Sequence, residues 1–349
     1  MQLRYLKLLL STALLPVVAL ISANYLIDPY EIFQTGWFDE VGATQERYLK
    51  IEHLKKDKSF DTFLLGGSRM GTTNPDDLEK ILPDAHVYNF FVSSGNQTDN
   101  LAHGRWLMKN QPQIKTLYVQ VDWPESLGIF EGSHQYMPHP DVAGSGRTGF
   151  VEQYLFLFPF KAFEFKIANN TSKKGEFKLP LSSGQFYYPK RDALLEKNCE
   201  AYVSQTPSLT NPVDEERATA AQSSLISRSL AKLKQLVAEA NDRGVRVVLY
   251  VTPHHHRFLD KINVELYADF LGQLAAVSAF WNFGFYSDIT LNDCNYYEAS
   301  HYVRAVAPHL YRAMSGENSV AFAHRVSADS VGSEVAWIKA NFAEHRSKK

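Results

Sequence analysis

A serine, a histidine and a carboxylate in this 349-residue chain have the types and local settings that nucleophilic catalysis requires. Ser68 follows the apolar run FLLGG, and Glu298 and His301 lie three residues apart in YYEASHY. A serine hydroxyl becomes a nucleophile when a base accepts its proton and an acid orients that base. The sequence therefore predicts a Ser68–His301–Glu298 triad, against the alternatives of a structural serine in a turn and a histidine that caps a helix.

The glycines before Ser68 favour a sharp turn at the end of a strand. Gly66 and Gly67 permit a tight strand-to-loop connection, which would let backbone N–H groups near Ser68 face a developing oxyanion. The segment is not the G-x-S-x-G elbow of α/β-hydrolases, because Met70 stands where that motif has glycine. Arg69 is expected to bind a carboxylate, either of the protein or of a substrate.

The elements that position these residues alternate between strands and helices, which predicts an α/β fold with a parallel sheet. The apolar runs predicted as strands, in chain order, are DTFLLGG, AHVYNFFV, IKTLYVQVD, VRVVLYVTP and FWNFGFYSD. In such a sheet functional groups gather beyond the carboxyl ends of the strands. The polar residues and glycine expected to share that rim are Ser68, Gly95, Asp122, His254, His255, His256 and His301.

The α/β pattern is interrupted once and is flanked by two further segments. The predicted division is an anchor over 1–30, a first half over 31–123, an insertion or lid over 124–212, a second half over 213–315 and a tail over 316–349. The insertion is rich in Gly, Pro and aromatic residues, with a helix expected near FVEQYLFLFPFKAFEFKIA. The other predicted helices include a long one over 214–243, a closing helix in HYVRAVAPHLYRAM and a tail helix over 331–344.

The amino terminus reads as an uncleaved membrane anchor. Arg4 and Lys7 precede an uncharged run from Leu8 to Ile27, whose length matches the hydrocarbon thickness of a bilayer. A cleaved signal peptide is the competing interpretation, although the residues near Ala23 fit a cleavage site poorly. The positive residues before the run predict a single-pass protein of the bacterial inner membrane, with its catalytic domain in the periplasm or otherwise outside the cytoplasm.

Charge and cysteine content narrow the range of partners. The formal net charge of −2 leaves no basic surface for nucleic acid. Cys199 and Cys294 form either one disulfide, as an exported protein allows, or two buried thiols. No metal or cofactor is expected: the run His254-His255-His256 suggests a metal site, but adjacent histidines on an extended segment alternate faces, and no acidic residue is spaced to join them. A substrate-lining role for His254 is the alternative, and Trp123 either stacks on a sugar ring or, as is more common, lies in the buried core.

In the order and spacing of its motifs, the chain resembles the SGNH (GDSL-like) hydrolase superfamily from about residue 25 to 315. GGSRMG looks like the serine block of its membrane-anchored members, which are similar to the D-alanyl transfer protein and to alginate O-acetyltransferase-like proteins. VYNFFVSSGNQ resembles the second block, and YLIDPYEIF and VVLYVTP also resemble segments of the anchored group. The resemblance implies a flavodoxin-like three-layer αβα fold of SGNH type, with Gly95 supplying an oxyanion N–H.

Two residues depart from the pattern of that superfamily. Its third block supplies an asparagine to the oxyanion hole, whereas this chain has Asp122, whose negative charge would oppose an oxyanion. The hole is then completed by Asn96 or Gln97, or is incomplete. The acid is Glu298 in place of the usual aspartate, with Asp293 as the nearest substitute.

The expected function is a serine acyl esterase or O-acyltransferase acting on a cell-envelope glycan. Beside the triad and Gly95, the residues expected to bind substrate are Arg69, Asn96, Asp122 and His254. A transferase would need a partner to bring the acyl donor across the bilayer, such as a multi-spanning membrane O-acyltransferase. The alternative is a catalytically inactive scaffold or glycan-binding subunit of the same fold, which the aspartate at position 122 favours.

Overall fold

The computed structural model describes residues 2–35, 45–123, 137–156, 163, 166, 178–211, 220–316 and 321–348. The chain divides into two compact units, Met1–Glu52 with Glu131–Lys178 and His53–Phe130 with Leu179–Lys349. The segment predicted as one insertion, 124–212, contributes to both units. The long helix predicted over 214–243 is described from residue 220 onward, and about half of the predicted insertion helix lies outside the described residues.

The larger unit contains a six-stranded sheet in the order β2-β1-β3-β4-β5-β8. Its strands are β1 (Thr62–Gly66), β2 (Val87–Phe91), β3 (Thr116–Gln120), β4 (Arg246–Val251), β5 (Phe280–Asn282) and β8 (His324–Val326). The five predicted strands are present and pair in parallel, and β8 joins β5 antiparallel. β1 and β2 are buried along their whole length, as continuous apolar runs in a parallel sheet require. The prediction of an α/β fold with a mostly parallel sheet is confirmed.

The larger unit also contains helices, several of which pack against this sheet. Their bounds are α2 (Glu46–Lys56, which begins in the smaller unit), α3 (Ser68–Gly71), α4 (Pro75–Glu79), α5 (Gln97–Asn110), α8 (Pro189–Lys197), α9 (Cys199–Ser204), α10 (Pro207–Thr210), α11 (Ala220–Asp242), α12 (His256–Leu259), α13 (Val264–Ala275), α14 (Asp288–Leu291), α15 (Ala307–Ser315) and α16 (Val331–Ser347). α5 packs against α11, and α13 packs against α16. Asn96 starts α5 through a capping box with Asp99, which accounts for where that helix begins.

The end of the chain differs in part from the prediction. The tail helix is present as α16, but β8 comes from the short and mostly polar segment HRV, which has no strand pattern of its own. The predicted closing helix begins later, at Ala307, and a two-stranded hairpin of β6 (Tyr296–Glu298) and β7 (His301–Tyr302) takes its first residues. Pro308 therefore lies in the first turn of α15, where proline is tolerated because that turn needs no amide donor.

The smaller unit contains α1 (Gln2–Ile27), α6 (Pro140–Ala143), α7 (Gly146–Val151) and a π-helical turn over Glu152–Phe156. The amide of Asn24 on α1 donates to the carbonyl of Leu155 at 2.8 Å, and Lys166 pairs with Glu31 at 2.8 Å. Among the residues that the structure describes, no helix combines the length and apolar character that crossing a bilayer demands. The predicted transmembrane anchor over 1–30 is therefore not supported by the structure, although a helix covers most of it.

Candidate active site

Ser68 lies where β1 ends and α3 begins. Gly66 closes the strand, Gly67 has an extended backbone, and Ser68 is the first residue of the short helix. The loop after β2 approaches this turn so closely that a Cβ at Gly95 would lie 2.5 Å from the carbonyl oxygen of Gly66. Only glycine fits at position 95, and its absent side chain brings the two predicted motifs together at one edge of the sheet.

Glu298 and His301 lie on the β6–β7 hairpin. They form a pair of directly opposed residues, so that the carboxylate and the imidazole face each other across the tight turn. Ser300 within this turn donates its hydroxyl to Glu298 at 2.8 Å and its backbone N–H to the same carboxylate at 3.3 Å. Sequence reasoning missed Ser300; only its place between the acid and the histidine could have pointed to this role.

The structure brings Ser68, His301 and Glu298 into one hydrogen-bonded chain. Oγ of Ser68 is 2.6 Å from Nε2 of His301, and Nδ1 of His301 contacts Oε1 of Glu298. Burial raises the pKa of Glu298, but the contacts with His301 and Ser300 outweigh it and lower the pKa to about 2. A carboxylate only accepts hydrogen bonds, so Nδ1 carries the imidazole proton and Nε2 is free to accept the proton of Ser68. This is the protonation state that a general base needs.

Arg69 connects the serine turn with the histidine hairpin. Its Nε donates to the carbonyl of Ser300 at 2.6 Å, and its Nη1 pairs with Asp122 at 3.0 Å, with both side chains buried. Asp122 also accepts the backbone N–H of Thr252 at 3.0 Å and a hydrogen bond from Gln120. Burial raises the pKa of Asp122, but the charges of Arg69 and His254 and the bonds from Thr252 hold it below its usual value.

Asp122 therefore has a different place from the asparagine that the resemblance led us to expect. Its carboxylate is fully buried and directed at protein donors from α3, β3 and the segment after β4. Arg69 compensates the charge of Asp122. The sequence predicted that this charge would repel an oxyanion, and the ion pair largely removes that repulsion. The contacts support a role in holding Arg69; substrate binding by Asp122 and Arg69 stays a prediction.

The predicted oxyanion donors differ in whether they are already hydrogen-bonded within the protein. The N–H of Gly95 donates to the carbonyl of Val92 at 2.9 Å and so is already engaged. The N–H of Ser68, at the first position of α3, has no acceptor among the described residues. Asn96 uses its side-chain oxygen to cap α5, and Gln97 donates its amide to the carbonyl of Gln120 at 3.2 Å. Within the described part of the chain, Ser68 thus offers an uncommitted backbone N–H beside its own hydroxyl.

The remaining residues predicted to bind substrate are buried against other side chains. Asn96 is 5% exposed and His254 is 1% exposed. The ring of His254 stacks on Phe258 with centroids 4.5 Å apart, and Trp123 packs among Tyr267 and Phe270. Trp123 is therefore part of the core, which was the alternative to stacking on a sugar.

His255 and His256 differ from the prediction, because an acidic residue does join them. Nε2 of His255 and Nε2 of His256 lie 2.8 and 3.0 Å from the same carboxylate oxygen of Asp293. The segment is not extended at this point: His256 begins α12, which turns both rings to one side. Burial, the largest influence, lowers the pKa of His255 to about 4. Asp293, predicted as the substitute acid of the triad, belongs instead to this second cluster.

A disulfide joins Cys199 in α9 to Cys294, which directly follows Asp293. The pairing resolves the two alternatives that the sequence left open. Disulfides of this kind persist in oxidising compartments such as the periplasm. It also ties the loop that leads to the β6–β7 hairpin to the helical segment around α9.

No protein-family model, no curated protein and no solved structure matches this chain.

Proposed function

We propose that this protein is a serine acyl esterase or O-acyltransferase of SGNH type. The observation that carries the proposal is the contact of 2.6 Å between Ser68 Oγ and His301 Nε2, with Glu298 on the other imidazole nitrogen. This is the arrangement of nucleophile, base and orienting acid from which acyl-transfer catalysis is recognised on unrelated folds. The strand order β2-β1-β3-β4-β5 is the doubly wound order of flavodoxin-like folds and supports the SGNH-type assignment.

The proposed reaction has two steps. Ser68 Oγ attacks the acyl carbonyl carbon while its proton passes to Nε2 of His301. The tetrahedral intermediate then breaks its bond to the leaving alcohol, which takes that proton and departs. In the second step water or a sugar hydroxyl attacks the acyl-serine, losing its proton to His301, and Ser68 recovers its hydroxyl. Glu298 holds His301 in the required tautomer and stabilises its positive charge between the transfers.

The oxyanion of each intermediate would be held first by the N–H of Ser68. The N–H of Gly95 is bonded to Val92, so a second donor requires a local change of the loop after β2. Ser94 in that loop has a positive φ of 52°, a strained conformation for a residue with a side chain. A loop in this state is compatible with a hole that is completed when substrate binds.

The proposed substrate is an O-acylated glycan of the cell envelope. The disulfide supports a location outside the cytoplasm, where such glycans are modified. Transfer, as opposed to hydrolysis, would need an acyl donor on that side, which a multi-spanning membrane acyltransferase would provide. Attachment to the inner membrane through the amino-terminal segment belongs to the proposal as well.

Hydrolysis of a small acetyl ester by the purified protein tests the proposal. Replacement Ser68→Ala should lower kcat/KM by about 10⁴-fold, because the nucleophile is lost. Ser227→Ala is the matched control, since Ser227 is an exposed serine of α11 whose hydroxyl donates to the side chain of Gln273, and it should behave as wild type. Equal activity in Ser68→Ala and wild type would contradict the proposal.

A catalytically inactive scaffold or glycan-binding subunit is the second candidate. The engaged amide of Gly95 favours it, because one donor of the expected oxyanion hole is occupied. A scaffold would show no ester hydrolysis by wild-type protein and would bind an envelope glycan equally well with Ser68→Ala. Measurements on wild type and Ser68→Ala therefore distinguish the enzyme from the inactive scaffold.

A further inference from the structure

A second group of chemically capable side chains lies apart from the proposed triad. It consists of His255 and His256 at the start of α12 and Asp293 after α14, with ligand atoms that all lie within 4.8 Å of one another. We propose that these three residues form a binding site for a zinc ion. This inference is independent of the acyl chemistry proposed above.

The convergence of the three side chains is the first argument. His255 and His256 come from the segment that follows β4, and Asp293 comes from 37 and 38 residues further along the chain. Nε2 of each ring lies within 3.0 Å of Oδ1 of Asp293, so the fold concentrates two imidazoles on one carboxylate oxygen. Ligands of a single tetrahedral zinc ion stand about 3.4 Å apart, since each bond is about 2.1 Å long. Each imidazole nitrogen needs to move away from the carboxylate oxygen by only about half an ångström to reach that spacing.

The chemistry of the donors favours zinc. Imidazole nitrogen and carboxylate oxygen suit this borderline cation, whereas calcium and magnesium prefer oxygen ligands alone. The sulfur of Cys294, next to Asp293, is held in the disulfide and takes no part. Two histidines and one carboxylate leave a fourth coordination position for water or another ligand.

The cluster is buried on one side and exposed on the other, which gives the ion one rigidly held ligand and a path by which to enter. The side chain of His255 is fully buried, that of His256 is 15% exposed, and that of Asp293 is 36% exposed. The site is thus open on the side of Asp293.

The hydrogen bonds of His255 determine which of its ring nitrogens carries the proton. Nδ1 of His255 accepts a hydrogen bond from the backbone N–H of Arg257 at 3.4 Å, so in the absence of metal the ring proton sits on Nε2 and is donated to Asp293. Zinc replaces that proton, which moves to Nδ1 and releases the long contact with Arg257. Nδ1–H then faces the backbone N–H of Arg257, so the ring has to turn away from this amide when zinc binds.

Titration of the tag-free, EDTA-treated full chain with zinc tests the site by calorimetry. We expect one equivalent of zinc to bind, and Asp293→Asn and His256→Gln each to weaken binding by at least about 100-fold, since each removes a ligand. His86→Gln is the matched control: the ring of His86 is half-exposed, with Nδ1 on the carbonyl of Ser59 at 3.1 Å and Nε2 at 4.0 Å from Glu79. It should bind zinc as wild type does.

Cobalt(II) gives a second readout that does not depend on the variants. Wild-type protein should give the intense visible absorption of four-coordinate cobalt, and zinc should abolish it. Absence of saturable zinc binding to wild type, or binding by folded Asp293→Asn or His256→Gln equal to that of wild type, would overturn the proposal. Thermal melts followed by circular dichroism establish that each variant is folded. Because no turnover is measured, failure of the acyl-transfer proposal would leave these results unchanged.

Discussion

His301 and His255 each place an imidazole nitrogen on a carboxylate, but their other neighbours differ. In the first cluster the far nitrogen of His301 meets the hydroxyl of Ser68 at 2.6 Å. In the second, a second imidazole joins the same carboxylate of Asp293, and the far nitrogen of His255 meets a backbone amide. A histidine and an acid therefore do not define a function by themselves: in the two proposals it is the third group, a hydroxyl or a second imidazole, that distinguishes proton transfer from metal binding.

The largest expected effect separates the acids of the two clusters. Glu298→Gln should lower kcat for ester hydrolysis by about 10⁴-fold, because an amide cannot hold His301 in the required tautomer or stabilise its charge. The same variant should bind zinc as wild type does, because Glu298 is not part of the second cluster. Loss of zinc binding together with activity would show that the two clusters act as one site.

The next effect concerns the support of the first cluster by Arg69. Replacement Arg69→Met leaves Asp122 buried without its cation and frees the carbonyl of Ser300, and should lower the free energy of unfolding by about 3–5 kcal/mol. Urea unfolding measures this loss. Arg105→Met is the matched control, since Arg105 pairs with Glu239 at the surface and should cost no more than about 1 kcal/mol.

A second substitution distinguishes an unpaired charge from simple loss of packing. Adding Asp122→Asn to Arg69→Met removes the uncompensated carboxylate, so the double variant should recover part of the lost stability. The two variants should unfold with equal free energies if packing alone is responsible, and that result would contradict the role assigned to the ion pair.

The smallest expected effect is the dependence of the free energy of unfolding on pH. The pKa of Glu298 is lowered to about 2 in the folded protein, so the folded state binds its proton less readily than the unfolded state. Its contribution to stability is present above the ordinary pKa of about 4.3 and is lost as the pH falls from there toward 2. Glu298→Gln should therefore flatten the loss of stability over that range, as followed by urea midpoints. An unchanged slope would show that the carboxylate is not held as described.

Part of this arrangement could be predicted because it follows local rules. The five parallel strands are apolar runs bounded by glycine, proline and polar residues, and Glu298 and His301 stand three residues apart. Once a parallel sheet is predicted, the rule that functional groups gather at carboxyl strand ends places Ser68 with His301.

The remainder depends on contacts that no local pattern reveals. Asp293 joins His255 across 38 residues, and Arg69 joins Asp122 across 53, so neither partner could be paired from spacing. β8 is three residues long and mostly polar, and its strand conformation depends on pairing with β5. Tertiary pairing determined these features, which is why the acid of the second cluster was missed.

The central claim is that His301 activates the hydroxyl of Ser68. Reaction of the intact protein with a fluorophosphonate, followed by peptide mapping with mass spectrometry, tests it most directly. The account predicts a single adduct on Ser68 in wild type, with its rate of formation greatly reduced in His301→Gln and unchanged in His86→Gln. No adduct on Ser68, or an adduct that forms equally fast in His301→Gln, would contradict it.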